Sequence, residues 1–263
     1  MAYTVDESDL ARQEGLAEIL DPITKNFLGD LPLPHDATCL DVGCGLGNTT
    51  MLLARSLPDA AHIVGVDADP DLLEAAREAA GSESVVEFRE ADAADLPFAE
   101  NTFDVVFGRF LLAHVSDPAA VVGEYCRVAR DGGLILVQEP DFQSFAVYPH
   151  SPAYEQSKDV TGELFDIEMG RKCWRLLREA GVEDLHLQAD VPVEAGQEAR
   201  TLRDQSVRSI SAIGPAAVQM GLETEAEMKD RTETVRETAA EDDRFMMFYT
   251  TVSVAGRVMS RAE

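Results

Sequence analysis

The chain has 263 residues, 45% of them apolar, which is enough for one large α/β domain with a sizeable core. Its 49 acidic residues against 22 basic ones give a formal net charge of −27, which disfavours nucleic acid and anionic membrane as partners. No apolar run approaches the ~20 residues that span a bilayer, and the acidic start "MAYTVDESDLARQ" is unlike a secretory signal, so a cytoplasmic protein is expected.

Of the 22 basic residues only Lys25, Lys158, Lys172 and Lys229 are lysines. An acid-rich, Lys-poor surface suits a salt-rich cytoplasm, where self-repulsion is screened. Cys39, Cys44, Cys126 and Cys173 lack metal-ligand spacing and read as reduced, mostly buried thiols, so no metal is expected.

In chain order, residues 8–29 carry apolar positions at helical spacing, with an interruption expected near Pro22. A buried strand over 37–42 leads into the glycine loop of "LDVGCGLGNTT" and a helix. Strands follow at 62–67, 85–90, 103–108 and 132–140. Between them, Asp69–Pro70 and Asp117–Pro118 each pair an N-cap with a first-turn proline and open helices. Short apolar strands alternating with amphipathic helices predict a doubly wound parallel sheet, with ligands at the carboxyl ends of its strands.

After Pro140 the pattern changes. Residues 142–156 read as a loop rich in aromatics and prolines, 168–180 as a helix and 183–193 as a sixth strand. Residues 196–243 read as two or three polar-faced helices broken at Gly214–Pro215, and 244–258 as a last strand. The two final strands can pair directly, so the helices between them read as an insertion that caps the ligand edge. One domain is expected: 1–30 a helical lid, 37–141 the ligand-binding core, 142–195 the substrate side, 196–243 the cap, and 244–263 the last strand and tail.

The loop itself discriminates among ligands. Gly43, Gly45 and Gly47 give G-x-G-x-G, whereas a dinucleotide fingerprint needs its third glycine where Asn48 stands. The Lys of a phosphate-binding P-loop is also missing. Asp41 would repel pyrophosphate and suits a cationic amino group. Asp67, followed by Ala68, ends the second strand, where a carboxylate accepts both hydroxyls of a ribose; helix capping is its plainer reading. Asp92 and Ala93 follow the third strand, placed to meet an adenine edge. Adenine, ribose and a cationic amino-acid tail together make S-adenosylmethionine (SAM).

With these residues in view, "LDVGCGLGNTT", "IVGVDADPDLL", "ADAADLPFAENTFDVVFGRFLLAHVSDP" and "RVARDGGLILVQEPD" resemble the class I SAM-dependent methyltransferases over residues 37–141. The N-terminal segment, "EPDFQSFAVYPHSPAYE" and "EMGRKCWRLLREAGV" look like a microbial branch acting on small molecules, although that branch often has Gln where this chain has Leu16. The resemblance implies a Rossmann-like seven-stranded sheet of order 3-2-1-4-5-7-6 with the last strand antiparallel and a helical cap. It implies that Gly43 and Gly45 approach the methionine part, Asp67 holds the ribose, Asp92 and Ala93 frame adenine, and Asn48 and Ala68 also bind the cofactor. Arg109 and Phe110 would end strand four beneath the methyl donor, and Arg12 would reach the cofactor carboxylate or remain a solvated helix-face residue.

Methyl transfer from a sulfonium requires alignment and exclusion of water more than a fixed catalytic group. His114 is the best-placed ionisable side chain, either as a base or as packing against the cofactor. Tyr148 and His150 are expected on the substrate side. One of Glu139 and Asp141, which flank Pro140, is expected to cap a helix or position substrate, and Trp174 reads as core. The leading reading is a SAM-dependent methyltransferase of a small apolar metabolite, uncharged or cationic, with the protein monomeric or homodimeric. A non-catalytic SAM sensor, an RNA or protein methyltransferase and a nicotinamide dehydrogenase follow in that order.

Overall fold

The computed structural model describes residues 7–57, 62–81, 83–196 and 200–259. In chain order the elements are α1 (Glu7–Gly29), β1 (Thr38–Val42), α2 (Asn48–Ser56), β2 (His62–Asp67), α3 (Pro70–Ala80), β3 (Val86–Glu90) and β4 (Phe103–Arg109). There follow α4 (Pro118–Val128), β5 (Ala129–Asp141), β6 (Ala146–Tyr148), α5 (Pro152–Leu164), α6 (Met169–Glu179) and β7 (Val182–Asp190). The chain continues through β8 (Val193–Ala195), α7 (Thr201–Gln219), α8 (Glu225–Ala240), β9 (Phe245–Met247) and β10 (Thr250–Val258).

Seven strands form one sheet in the order β3-β2-β1-β4-β5-β10-β7. The five on the β3 side are parallel, and β10 runs antiparallel to both β5 and β7. This is the expected topology, with β7 and β10 as the sixth and seventh core strands. Alternation along each strand feeds two cores. Leu40, Val42, Val64, Val66, Val106 and Ile135 face the side covered by α4 and α6. Cys39, Ile63, Val105, Phe107 and Leu136 face Phe27 and Leu28 of α1 and Leu53 of α2. Burial on both faces is why these strands read as continuous apolar runs. Asp69 and Asp117 cap α3 and α4 as expected, each with proline at the helix start.

Four local expectations are corrected. The N-terminal helix runs uninterrupted through Pro22, because buried Leu20, Thr24, Phe27 and Leu28 anchor both sides of the proline and offset its lost hydrogen bond. Residues 142–156 are not simply a loop: β6 and the start of α5 lie within them. The last strand divides, and β9 pairs with β6 and β8 in a second, three-stranded antiparallel sheet. Finally, α7 continues through Gly214–Pro215, and the chain turns after Gln219. Gly214 serves close helix packing there, since a Cβ would lie 2.6 Å from the Met228 sulfur on α8. A capping box of Thr224 and Glu227 then starts α8.

Two buried ion pairs fasten this helical region. Arg203 of α7 meets Glu194 of β8 at 2.7 Å, and Arg231 of α8 meets Glu223 at 2.6 Å while donating to Ser157 of α5 at 3.1 Å. Gln205 of α7 donates to the Arg12 carbonyl of α1 at 3.0 Å, so α7 rests on the N-terminal helix. Among the described residues no helix is long and apolar enough to cross a membrane.

Candidate functional site

The carboxyl ends of β1, β2 and β4 converge on the glycine loop. Gly43 and Cys44 donate backbone N–H groups to the Val66 carbonyl at 2.8 and 2.9 Å, folding the loop back onto β2. Gly43 and Gly45 take φ of 71° and 52°, a left-handed conformation that other residues adopt at a cost. The Gly45 amide donates to Asp67 Oδ2 at 2.9 Å, and the Asp69 amide donates to Asp67 Oδ1 at 3.0 Å. Asp67 therefore ties the loop to the end of β2, while Asp69 caps α3. Each Asp67 oxygen keeps a lone pair for a further donor.

Beneath the loop, Asp41 is 1% exposed. Its Oδ2 accepts from Thr50 Oγ1 at 2.6 Å, while Oδ1 has no hydrogen-bond partner. Burial pushes its pKa up to about 6, against the pull of the Thr50 hydrogen bond and the Arg109 charge. A buried carboxylate oxygen without a partner is costly unless a ligand supplies a donor. An ammonium group on an amino-acid tail is such a donor.

The remaining cofactor-side residues border the same loop. Ala91 N–H donates to the Asp67 carbonyl at 3.0 Å, bringing the end of β3 beside β2. Asp92 is exposed there, with Oδ1 accepting from the Ala94 amide at 2.8 Å, and Ala93 is half-buried. Ala68 is exposed next to Asp67, and Asn48 opens α2. A Cβ built on Gly45 would meet only Gln13 Oε1 of α1, at 3.4 Å, so the loop's outer face is open apart from that helix.

The opposite wall is built from β4, β5 and β10. Arg109 does not point at the loop alone: its Nη1 donates to Asp21 of α1 at 2.8 Å, with the side chain 8% exposed. Phe110 takes a φ of 58° and donates its amide to the Gln138 carbonyl at 2.8 Å. Its ring lies 5.8 Å from Tyr249, which lies 4.7 Å from Phe142. Glu139 Oε1 accepts from the Leu111 and Leu112 amides at 2.8 and 2.7 Å, and Oε2 from Ala113 at 3.3 Å. That carboxyl group clamps the turn leading to His114, and burial pushes its pKa up to about 8 against those donors. His114 stacks edge-on to Phe165 at 4.5 Å. The residue is exposed, and desolvation by the protein around it first, and then the Arg12 charge, lower its pKa to about 4.

Two substrate-side expectations are not met by position. Strand alternation sends Val147 into the aromatic cluster and Tyr148 outward, where it is 71% exposed. His150 is also exposed, 4.0 Å from Glu155. Neither joins the wall formed by Phe110, Phe142 and Tyr249. Trp174 is not core: it is 38% exposed, with Arg178 stacked over its ring at 4.5 Å. Asp141 is held by two Arg171 nitrogens. Glu139 takes the capping role that the sequence left open between it and Asp141, whereas two contributors escaped sequence reasoning: Gln13 facing Gly45, and Tyr249, which reads as one more apolar position in "MMFY".

Comparison with known proteins places this geometry. Residues 40–137 match the model of a methyltransferase domain, the span from β1 to β5 that carries the loop and the three carboxylates. Those residues form a methyltransferase domain. The chain is 29% identical over 163 residues to phosphoethanolamine N-methyltransferase 1 of Triticum aestivum, covering 62% of this chain and 31% of that protein. This chain thus spans about a third of the length of that relative. It is 28% identical over 205 residues to the demethylmenaquinone methyltransferase of Shouchella clausii, covering 75% of this chain and 83% of that one. In fold it is similar to a candidate methyltransferase of Bacillus halodurans, with TM-score 0.60, 20% identity, and coverage of 89% and 98% of the two chains.

Proposed function

We propose that this protein transfers a methyl group from SAM to a small molecule. The observation that carries the reading is the pairing of Asp67, tied to the Gly45 amide, with an Asp41 oxygen that lacks a partner under the same loop. Those groups suit a ribose and an ammonium, and they oppose a pyrophosphate. The family uses SAM, which when bound supplies a methyl on an already activated sulfonium. On this reading the chain's own residues bind and orient. Asp67 accepts the ribose hydroxyls, the Gly43 and Gly45 backbone and Asp41 receive the amino-acid tail, and Asp92 with Ala93 borders adenine. Asn48, Ala68 and Arg12 complete the surroundings. Phe110 and His114 face the acceptor, and α1 with α7 excludes water from the reacting atoms.

On the same reading residues 196–243 are a cap over the acceptor, the acceptor is a free small molecule and not nucleic acid, and the protein works in the cytoplasm. Calorimetry with SAM, S-adenosylhomocysteine and NAD tests the proposal. SAM and S-adenosylhomocysteine bind and NAD does not. Asp67→Asn weakens SAM by roughly 1.5–3 kcal/mol, about 10- to 150-fold, with the fold retained. Tight NAD binding without a SAM response, or unchanged SAM affinity in the variant, rejects it.

A further inference from the structure

Glu139 is an acid that the sheet itself does not need. It is 0% exposed, between Gln138 and Pro140 of β5, and the consecutive amides of Leu111, Leu112 and Ala113 converge on its carboxyl group. Successive backbone amides of this kind make a concavity for an anion, and the chain fills it with its own side chain. Two polar side chains buried in the same core give Glu139 no hydrogen bond. Tyr125 of α4 leaves its hydroxyl without a partner, and Cys173 of α6 donates to the Met169 carbonyl at 3.2 Å. Burying a carboxyl group is costly, so what Glu139 contributes is the fixed position of the backbone it holds.

That backbone is the segment leaving β4. Phe110 turns out of the strand at φ 58° with its amide on the Gln138 carbonyl, and the next three amides go to Glu139. Residues 110 to 113 are therefore bound to two successive residues of β5. The Asp166 amide donates to the Ala113 carbonyl at 3.2 Å and closes the end of the segment. The segment bears directly on the glycine loop. A Cβ built on Gly43 would lie 2.9 Å from Leu111 Cδ1 and 3.2 Å from its Cγ, so the Leu111 side chain rests on the bare α-carbon of Gly43. Any displacement of the turn reaches the loop through that contact.

Resting on the methyl-transfer reading above, we propose that Glu139 is a positioning residue for the cofactor's amino-acid tail, holding Leu111 against Gly43 and so setting the shape of the loop that receives the tail. Being fully buried, the carboxyl group acts through Leu111 and not by touching the ligand. Its influence falls on the tail, because the ribose is left to Asp67 at the end of β2 and adenine to Asp92 and Ala93 after β3.

Calorimetry on the full chain with two probes tests this: S-adenosylhomocysteine, and 5′-methylthioadenosine, which keeps the nucleoside and lacks the amino-acid tail. Glu139→Gln retains one oxygen for the Leu111 and Leu112 amides and loses the acceptor for Ala113. It is expected to weaken S-adenosylhomocysteine about three- to tenfold and to leave 5′-methylthioadenosine within about twofold. Glu139→Ala weakens S-adenosylhomocysteine further, so that Gln acts as a partial rescue; the Gln variant carries the test even where the Ala variant fails to fold. Leu111→Ala weakens S-adenosylhomocysteine by a similar factor, and Glu139→Gln added to it changes affinity less than about twofold, since the route is already removed. Leu177→Ala, a buried core change on α6, lowers the melting temperature but leaves both affinities within about twofold. Unchanged S-adenosylhomocysteine affinity in Glu139→Gln, equal weakening of both probes, a full-sized Gln effect in the Leu111→Ala background, or equal weakening by Leu177→Ala overturns the inference and leaves methyl transfer standing. Failure of the parent to bind S-adenosylhomocysteine overturns the methyl-transfer reading itself and this inference with it.

Discussion

Arg109, the last residue of β4, donates to Asp21 of α1 at 2.8 Å, and the same Nη1 reaches Thr24 Oγ1 at 3.3 Å. Thr24 in turn donates to Gln138 of β5 at 2.6 Å, and Gln138 donates to Ser253 of β10 at 2.8 Å. A buried polar chain therefore locks the helix that crosses the glycine loop onto the adjacent strands β4, β5 and β10. It also fixes the backbone next to Phe110, one residue beyond Arg109.

Asp21→Ala leaves the Arg109 guanidinium without its carboxylate. Because Asp21 is partly exposed, the cost is about 1–3 kcal/mol and not the full penalty of a buried pair. Urea unfolding measures the loss, and hydrogen exchange in residues 10–20 should quicken more than in β1. An unchanged midpoint with unchanged exchange would show that the pair does not anchor α1.

Glu139 makes stability depend on pH in a defined direction. Its folded pKa of about 8 lies above the ordinary carboxyl value, so the folded chain holds that proton more tightly than the unfolded chain. The contribution is complete below about pH 4.5 and is lost as pH rises towards 8. Glu139→Gln stays neutral, so relative to the parent it should be stabler at pH 8 than at pH 5. Glu139→Ala strands three amides and should be destabilised at both. Denaturant midpoints at the two pH values decide it; a pH-independent difference for the Gln variant would contradict the account.

The Arg203–Glu194 pair is 1% and 4% exposed. Removing one partner leaves a buried charge, so Glu194→Ala should cost about 3–5 kcal/mol. Replacing both with apolar residues of similar volume should recover most of the loss. Thermal unfolding of the single and double variants gives the comparison, and equal losses would show that the charge is not what matters.

Salt tests the surface. With a net charge of −27, mutual repulsion among carboxylates opposes the compact state, and molar KCl screens it. The melting temperature should climb as KCl rises from low to molar concentration. A flat or falling trend would remove the case for a salt-adapted protein.

The sheet was legible in the sequence because its signals are local and repeat. Apolar strands such as "HIVGVD", the Asp69–Pro70 and Asp117–Pro118 helix starts and the alternate glycines each act within a few residues. Errors fell where a distant contact outvotes local propensity. Pro22 looks like a break until Leu20 and Phe27 are seen buried on either side of it. Gly214 looks like a break until Met228 is seen against it. Three-residue strands such as β6, β8 and β9 are too short to carry a period of two, so their pairing cannot be read from any one of them. In the candidate site, the acids at strand ends could be read from their spacing. The roles of Glu139, Gln13 and Tyr249 could not, because their partners lie in other elements.

The position of β10 bears on how the chain assembles during synthesis. The strand lies between β5 and β7, yet it emerges after α7 and α8, more than a hundred residues beyond β5. Until it is made, β5 keeps an unpaired edge along its β10 side and β7 has nothing to join it to the sheet. The glycine-loop half can form early, whereas the wall of Phe110, Phe142 and Tyr249 has to wait for Tyr249 and β10 to arrive together. A nascent chain paused before residue 245 would thus have the glycine-loop half of a crevice without its opposite bank, and a sticky strand edge for chaperones to cover.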